Sequence, residues 1–200
     1  VADRMDAQVS YSDAGSVRAR LTRAIPARRV ALKWMHWTIV PFFIWFLLVQ
    51  PDDVRHVGQW AVRLHSVFGL VFVTLSLLWT ADFLRRGLAG RPGPKLCGWQ
   101  RRFHGLLHRT LVLGLFGVAL TGFLLGLTST VLLWAGGIVP IAPPLALPRA
   151  SEIVGLVHYV EFYGLALVAL IHAGFHLWRH LRLRDNALRI MAPRFLHRFL

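Results

Sequence analysis

Long apolar runs separated by short basic or proline-rich stretches organise this chain. Four of them are near or above the roughly 20 residues that a helix needs to cross a hydrocarbon layer: Leu32 to Gln50, Gln59 to Asp82, Phe103 to Leu127 and Glu152 to Leu181. A fifth apolar stretch, Val131 to Leu147, contains Pro140, Pro143 and Pro144 and is followed by Pro148. Each proline removes a backbone donor and interrupts a helical ladder, so this stretch is expected to form an interfacial or re-entrant loop. The first run begins too late, and lacks a small-residue cleavage site, to be a removed leader. The expected fold class is all-α, an integral membrane four-helix bundle, with both ends of the chain on one side.

Composition strengthens this reading. In 200 residues, 56% are hydrophobic and 16% charged, and mean hydropathy is +0.53, which sets the chain apart from ordinary soluble domains. A net charge of +14 raises the question of a nucleic-acid partner. The basic residues lie between apolar runs rather than on one soluble face, so no nucleic acid is expected. Seven Lys and Arg precede or include Lys33, seven lie between Arg85 and Arg109, and six follow from Arg179. Only Arg55, Arg63 and Arg149 fall on the other connections. The positive-inside rule then puts both termini and the central connection in the cytoplasm, as for a multi-pass protein of a bacterial inner membrane. Trp34, Trp37, Trp60, Trp79 and Trp178 stand at span ends, as interfacial aromatic belts require. Residues 1–30 form a basic N-terminal tail, expected to be mobile or surface-lying up to about Ala24. Residues 31–183 are the transmembrane domain and residues 184–200 a C-terminal tail, while Arg91-Pro-Gly-Pro94 marks a turn in the central connection. The lone Cys97 has no second cysteine for a disulfide, a covalently attached haem, an iron–sulfur cluster or structural zinc.

Ten histidines occur, and an ionisable ring inside a span is costly enough to signal a site. His36 lies near the cytoplasmic end of the first span and His65 near the outer end of the second. His158 and His172 share the fourth span, fourteen residues apart, which is about 21 Å of rise and about 40° short of four turns. Both therefore face one side at two depths, His158 level with His65 and His172 level with His36. His176, one turn further, matches the depth of His36 at least as well, and depth counting does not choose between them. Two facing imidazoles at one level suit a low-spin haem iron with both axial positions filled, an electron carrier's arrangement. Zinc fits less well, because neither pair has a third and fourth ligand at its depth and Glu161 is a single carboxylate near His158. Gly69, Gly155 and the glycines at 114, 117, 122 and 126 leave room for a flat group or simply for close helix packing. His104, His108 and His180 could meet haem propionates or a quinone headgroup, with interfacial solvation the plainer role for each.

Several segments together resemble the bacterial cytochrome b561 family: Trp34-Met-His-Trp37, Leu64-His-x3-Gly69, His108-Arg109, His158-x13-His172 followed by His180, and the tail from Arg184 to Pro193. The resemblance covers residues 29 to 195. It implies four helices holding two non-covalent b haems, one between His36 and His172 and one between His65 and His158, and it favours His172 over His176. It further implies electron exchange with ubiquinone across the membrane lipid, and a superoxide oxidase-like activity in which a periplasmic donor passes electrons to quinone. Superoxide suits the outer face because Arg55, Arg63 and Arg149 are its only cations and would attract a small anion. The longer N-terminal tail and the proline-rich third connection depart from the family pattern. They motivate a second expectation, a non-catalytic or electron-relay subunit docked on a larger respiratory or photosynthetic complex. A transporter is disfavoured, since matched broken helices and intramembrane carboxylates are not evident.

Overall fold

The computed structural model describes residues 28–50, 56–89, 92–130, 133–135, 139–185 and 187–192. The N-terminal tail up to residue 27, Arg55 and residues 193–200 lie outside the described residues. Four long helices dominate: α1 (Arg28–Leu48), α2 (Gln59–Arg86), α3 (Gly98–Thr128) and α4 (Pro148–Arg182). All four are long and apolar enough to cross a membrane, and the protein is an all-α, multi-pass membrane bundle. Val1–Trp34 and Met35–Leu200 are separate compact units. The described part of the first is the opening two turns of α1, and all that follows concerns the second.

The helices α2, α3 and α4 outrun their expected apolar spans, whereas α1 starts before Leu32 and ends short of Gln50. With 31 residues, α3 is roughly 46 Å long, well beyond a hydrocarbon core about 30 Å thick. The surplus is polar: Gln100, Arg101 and Arg102 open α3, and Arg85 and Arg86 end α2, where cations complement the negative end of a helix dipole. Pro148 begins α4 at its first turn, where its missing N–H is no loss and its fixed φ is already helical. Pro41, by contrast, lies inside α1 and withholds one ladder donor little more than a turn after His36.

The helices pack unequally. The backbones of α3 and α4 approach most closely, followed by those of α2 and α3. Between α3 and α4 the reason is glycine. A Cβ on Gly114 would lie 2.8 Å from Leu165 Cδ1, one on Gly117 3.4 Å from Glu161 Oε1, and one on Gly122 2.9 Å from His158 Cε1. These glycines of the third span therefore serve close helix approach, receiving side chains of α4. The first helix instead reaches its neighbours with long aromatic side chains. Phe43 meets Phe162 at 5.0 Å between ring centroids, Phe42 meets Phe68 at 5.2 Å and Phe46 meets His65 at 4.9 Å. Ile39, Phe72, Val118, Phe162 and Leu165 form the buried centre that these rings cover. Many other large apolar side chains, Leu78, Leu113, Leu156, Leu167 and Leu170 among them, face outward, as a lipid-facing surface requires.

The proline-rich third connection is more ordered than an irregular loop. Leu133–Ala135 (β1) and Val139–Ala142 (β2) pair as an antiparallel hairpin, with Trp134 opposite Pro140. The chain then folds back on the end of α3: the N–H groups of Leu145, Ala146 and Leu147 donate to the carbonyls of Leu127, Ser129 and Thr128 at 3.0, 3.3 and 3.1 Å. Carbonyls that a helix end leaves without partners are thus satisfied.

At the other end of the bundle, the central connection docks onto the end of α4. Lys95 Nζ donates to the carbonyls of Leu183 and Arg184 at 2.8 and 3.0 Å, and Leu96 is fully buried with Leu107 and Phe175. Arg179, 2% exposed, donates twice to Asp185 Oδ2, from Nε at 2.9 Å and Nη2 at 2.6 Å. Asp185 Oδ1 in turn accepts the N–H of Ala187 at 3.0 Å, opening a short helix, α5 (Ala187–Met191). Gly93 makes room for this pair, since a Cβ there would stand 2.5 Å from Arg179 Nη2.

Candidate functional site

The antiparallel packing gathers intramembrane histidines at two levels. Near the hairpin end, α1 presents Phe46, α2 presents His65, α3 presents Thr121 and α4 presents His158. The ring of His65 lies edge-on to Phe46, within electrostatic reach of His158. Gly69 follows one turn after His65, and a Cβ at that position would meet nothing within 4 Å. Gly105, Gly164 and Gly174 are equally open, in contrast to the filled positions at Gly114 and Gly122.

His158 is held from α3. Its Nδ1 lies 3.0 Å from Thr121 Oγ1, and Thr121 Oγ1 lies 2.9 Å from Glu161 Oε2. If the Thr121 hydroxyl donates to the carboxylate, it must accept from His158, which puts the imidazole proton on Nδ1 and leaves the lone pair on Nε2. A carboxylate backing a histidine in this way fixes its tautomer and raises its basicity as a ligand. Glu161 is thus an intramembrane carboxylate with a defined partner, which corrects the expectation that the spans hold no such carboxylate. Sequence reading registered it only as a lone carboxylate beside His158 and missed Thr121, because their meeting depends on the register of α3 against α4.

Near the opposite end, His36 of α1 is edge-on to Trp37 at 5.9 Å and tilted against Trp79 of α2 at 6.2 Å. It lies within electrostatic reach of His108, His172 and His176. His172 is 4.5 Å from His176 and 4.7 Å from His108 between ring centroids, and His104 is 4.1 Å from His108. Two histidines one turn apart on α3 thus face two histidines one turn apart on α4. His104 is only 3% exposed, so the expectation of interfacial solvation for it is not met. The cause is tertiary: Phe103 and Phe175 pack at 5.3 Å beside it, and the docked central connection closes over this end.

Between the levels, Ile39 and Phe43 follow His36 on α1, Phe72 follows His65 on α2, and Phe162 and Leu165 lie between His158 and His172 on α4. The two groups of imidazoles are therefore divided by a layer of rings and aliphatic side chains.

Several of these nitrogens have no hydrogen-bond partner. His36, His65 and His172 each bury an Nδ1 without one, as His176 does an Nε2 and His180 an Nδ1. A buried polar atom left unsatisfied costs about 1–3 kcal/mol, and imidazoles held by packing alone retain a lone pair for a ligand. The donor set is imidazoles on α1, α2, α3 and α4, grouped at two levels, a chemistry able to hold a metal. Comparison of the sequence with known protein families and with characterised proteins gives no match.

Proposed function

We propose that this protein is a membrane di-haem b cytochrome, with His36 and His172 holding one haem and His65 and His158 the other. The observation that carries the reading is the gathering of these four histidines, from α1, α2 and α4, at two separate levels, with His36, His65 and His172 each burying an Nδ1 without a partner and His158 braced by Thr121. The resemblance to the bacterial cytochrome b561 family supports the same assignment and favours His172 over His176. When bound, a haem held by two of these histidines would supply one-electron chemistry.

The chain's own residues set the conditions for that chemistry. Thr121, with Glu161 behind its hydroxyl, orients the His158 ring through Nδ1. The layer of Ile39, Phe72, Val118, Phe162 and Leu165 keeps water from the region between the levels, and a region without water limits the reorganisation that accompanies a moving charge. On this reading the protein carries electrons across the bilayer between the quinone pool and a periplasmic partner, in the manner of a superoxide:quinone oxidoreductase. Arg63 and Arg149, in the opening turns of α2 and α4 away from the basic end, are suited to draw in a small anion. Both termini and the central connection are assigned to the cytoplasm by the distribution of Lys and Arg.

A reduced-minus-oxidised visible spectrum with a pyridine haemochrome count tests the class. Two b haems per chain are expected; a folded, colourless preparation from haem-replete cells refutes the reading. Superoxide decay no faster than the spontaneous rate in pulse radiolysis would remove that substrate while leaving the cytochrome intact.

A further inference from the structure

We infer that His104, His108 and His176 form a binding site for a zinc-class divalent metal ion, separate from the two haem pairs. Each offers one ring nitrogen, and these three atoms lie within 4.8 Å of one another. Three nitrogens around a tetrahedral ion at about 2.1 Å would stand about 3.4 Å apart, a closure that small rotations of the side chains supply. Three imidazoles without a carboxylate or thiolate suit zinc or copper rather than magnesium or calcium. A set of three histidines also leaves a fourth position for water or another small ligand.

Three further observations point to a ligand. His108 Nδ1 lies 2.7 Å from the carbonyl oxygen of His104; an oxygen lone pair only accepts, so this nitrogen carries the proton and Nε2 carries the lone pair. A histidine ligand braced on a backbone carbonyl in this way is the usual second layer of a metal site. His176 Nε2 is buried with no hydrogen-bond partner. His104 is 3% exposed, so water does not compete for its ring. The nearby Arg179 does not oppose a cation with its full charge, because Asp185 Oδ2 accepts from it at 2.6 and 2.9 Å. His172 touches both His108 and His176 and remains with His36 in the haem pair, so an ion at this site would sit beside the haem on the same level.

The site has the geometry of two helix turns rather than of a sequence motif. His104 and His108 are one turn apart on α3, and α4 brings His176 against them because the two helices run antiparallel in close register. A bound ion would clamp α3 to α4 at the end that the central connection covers.

The test uses the full untagged chain in detergent, stripped with a chelator, equilibrated with zinc and desalted. Zinc and haem iron are counted in the same samples, and zinc-edge X-ray absorption reports the ligands. The expected result is about one zinc per chain with about three imidazole nitrogens near 2.1 Å. His176→Gln and His104→Gln should each weaken zinc binding by at least about tenfold with haem content unchanged, while His56→Ala, at an exposed position, should leave it as it was. Zinc held equally well in both glutamine variants, absorption without imidazole scattering, or no zinc retained would each overturn the site. Loss of haem rather than zinc in His176→Gln would also overturn it, by making His176 a haem ligand.

Discussion

Single side chains carry the electron-transfer reading, and each can be removed. Alanine in place of His36, His65, His158 or His172 should cost about one haem of two in a pyridine haemochrome assay; both haems surviving in His172→Ala would pass the ligand role to His176. Thr121→Val is more discriminating. It keeps the side chain's shape but cuts the link from His158 Nδ1 to Glu161, so the ring loses the polarisation that makes it a stronger donor. The haem of that level should be retained with a raised midpoint potential in a spectroelectrochemical titration, because a weaker donor favours the ferric state less. An unchanged potential would mean that the hydrogen bond has no influence on the ligand. That His158 and His172 share one face of α4 at two depths was legible in the sequence because fourteen residues on one helix fix both face and depth. Thr121 and the buried environment of His104 were not, since each depends on which residue of a distant helix stands opposite.

Among the elements, α3 and α4 behave as a unit joined by small residues, and the central connection as a clasp on their shared end. Gly122→Val should push β-branched bulk into the His158 ring, where even a Cβ stands 2.9 Å from Cε1, and lower haem content at the level of His65. Beneath the clasp, beside Gly93, lies one buried ion pair, Arg179 with Asp185. Removing one partner of such a pair leaves an uncompensated charge at a cost of about 3–5 kcal/mol, so Asp185→Asn should markedly lower the thermal midpoint in detergent, as Gly93→Ala should by crowding Arg179. Replacing both Arg179 and Asp185 with leucine should recover much of the loss. The four helices could be read directly from apolar runs, whereas their ends could not: Arg85, Arg86 and Arg101 look like loop residues by composition but continue their helices into the interface. The hairpin between α3 and α4 was equally hidden, because prolines announce the end of a helix without specifying what replaces it.

For the molecule as a whole, the asymmetry of charge predicts a single orientation. Cys97 is exposed at the start of α3, on the connection assigned to the cytoplasm, and the sequence contains one cysteine. A membrane-impermeant maleimide should therefore label inverted vesicles and spare intact cells; the opposite pattern would reverse the topology and with it the assignment of an outer haem. The meeting of Phe43 with Phe162 has a further consequence for how the protein is made. Phe162 is synthesised more than a hundred residues after Phe43, and neither proposed ligand couple is complete until α4 has emerged from the ribosome. On the proposed reading pigment is therefore acquired only after α4 is made, and cells starved of iron should accumulate a membrane-inserted precursor that waits for its cargo.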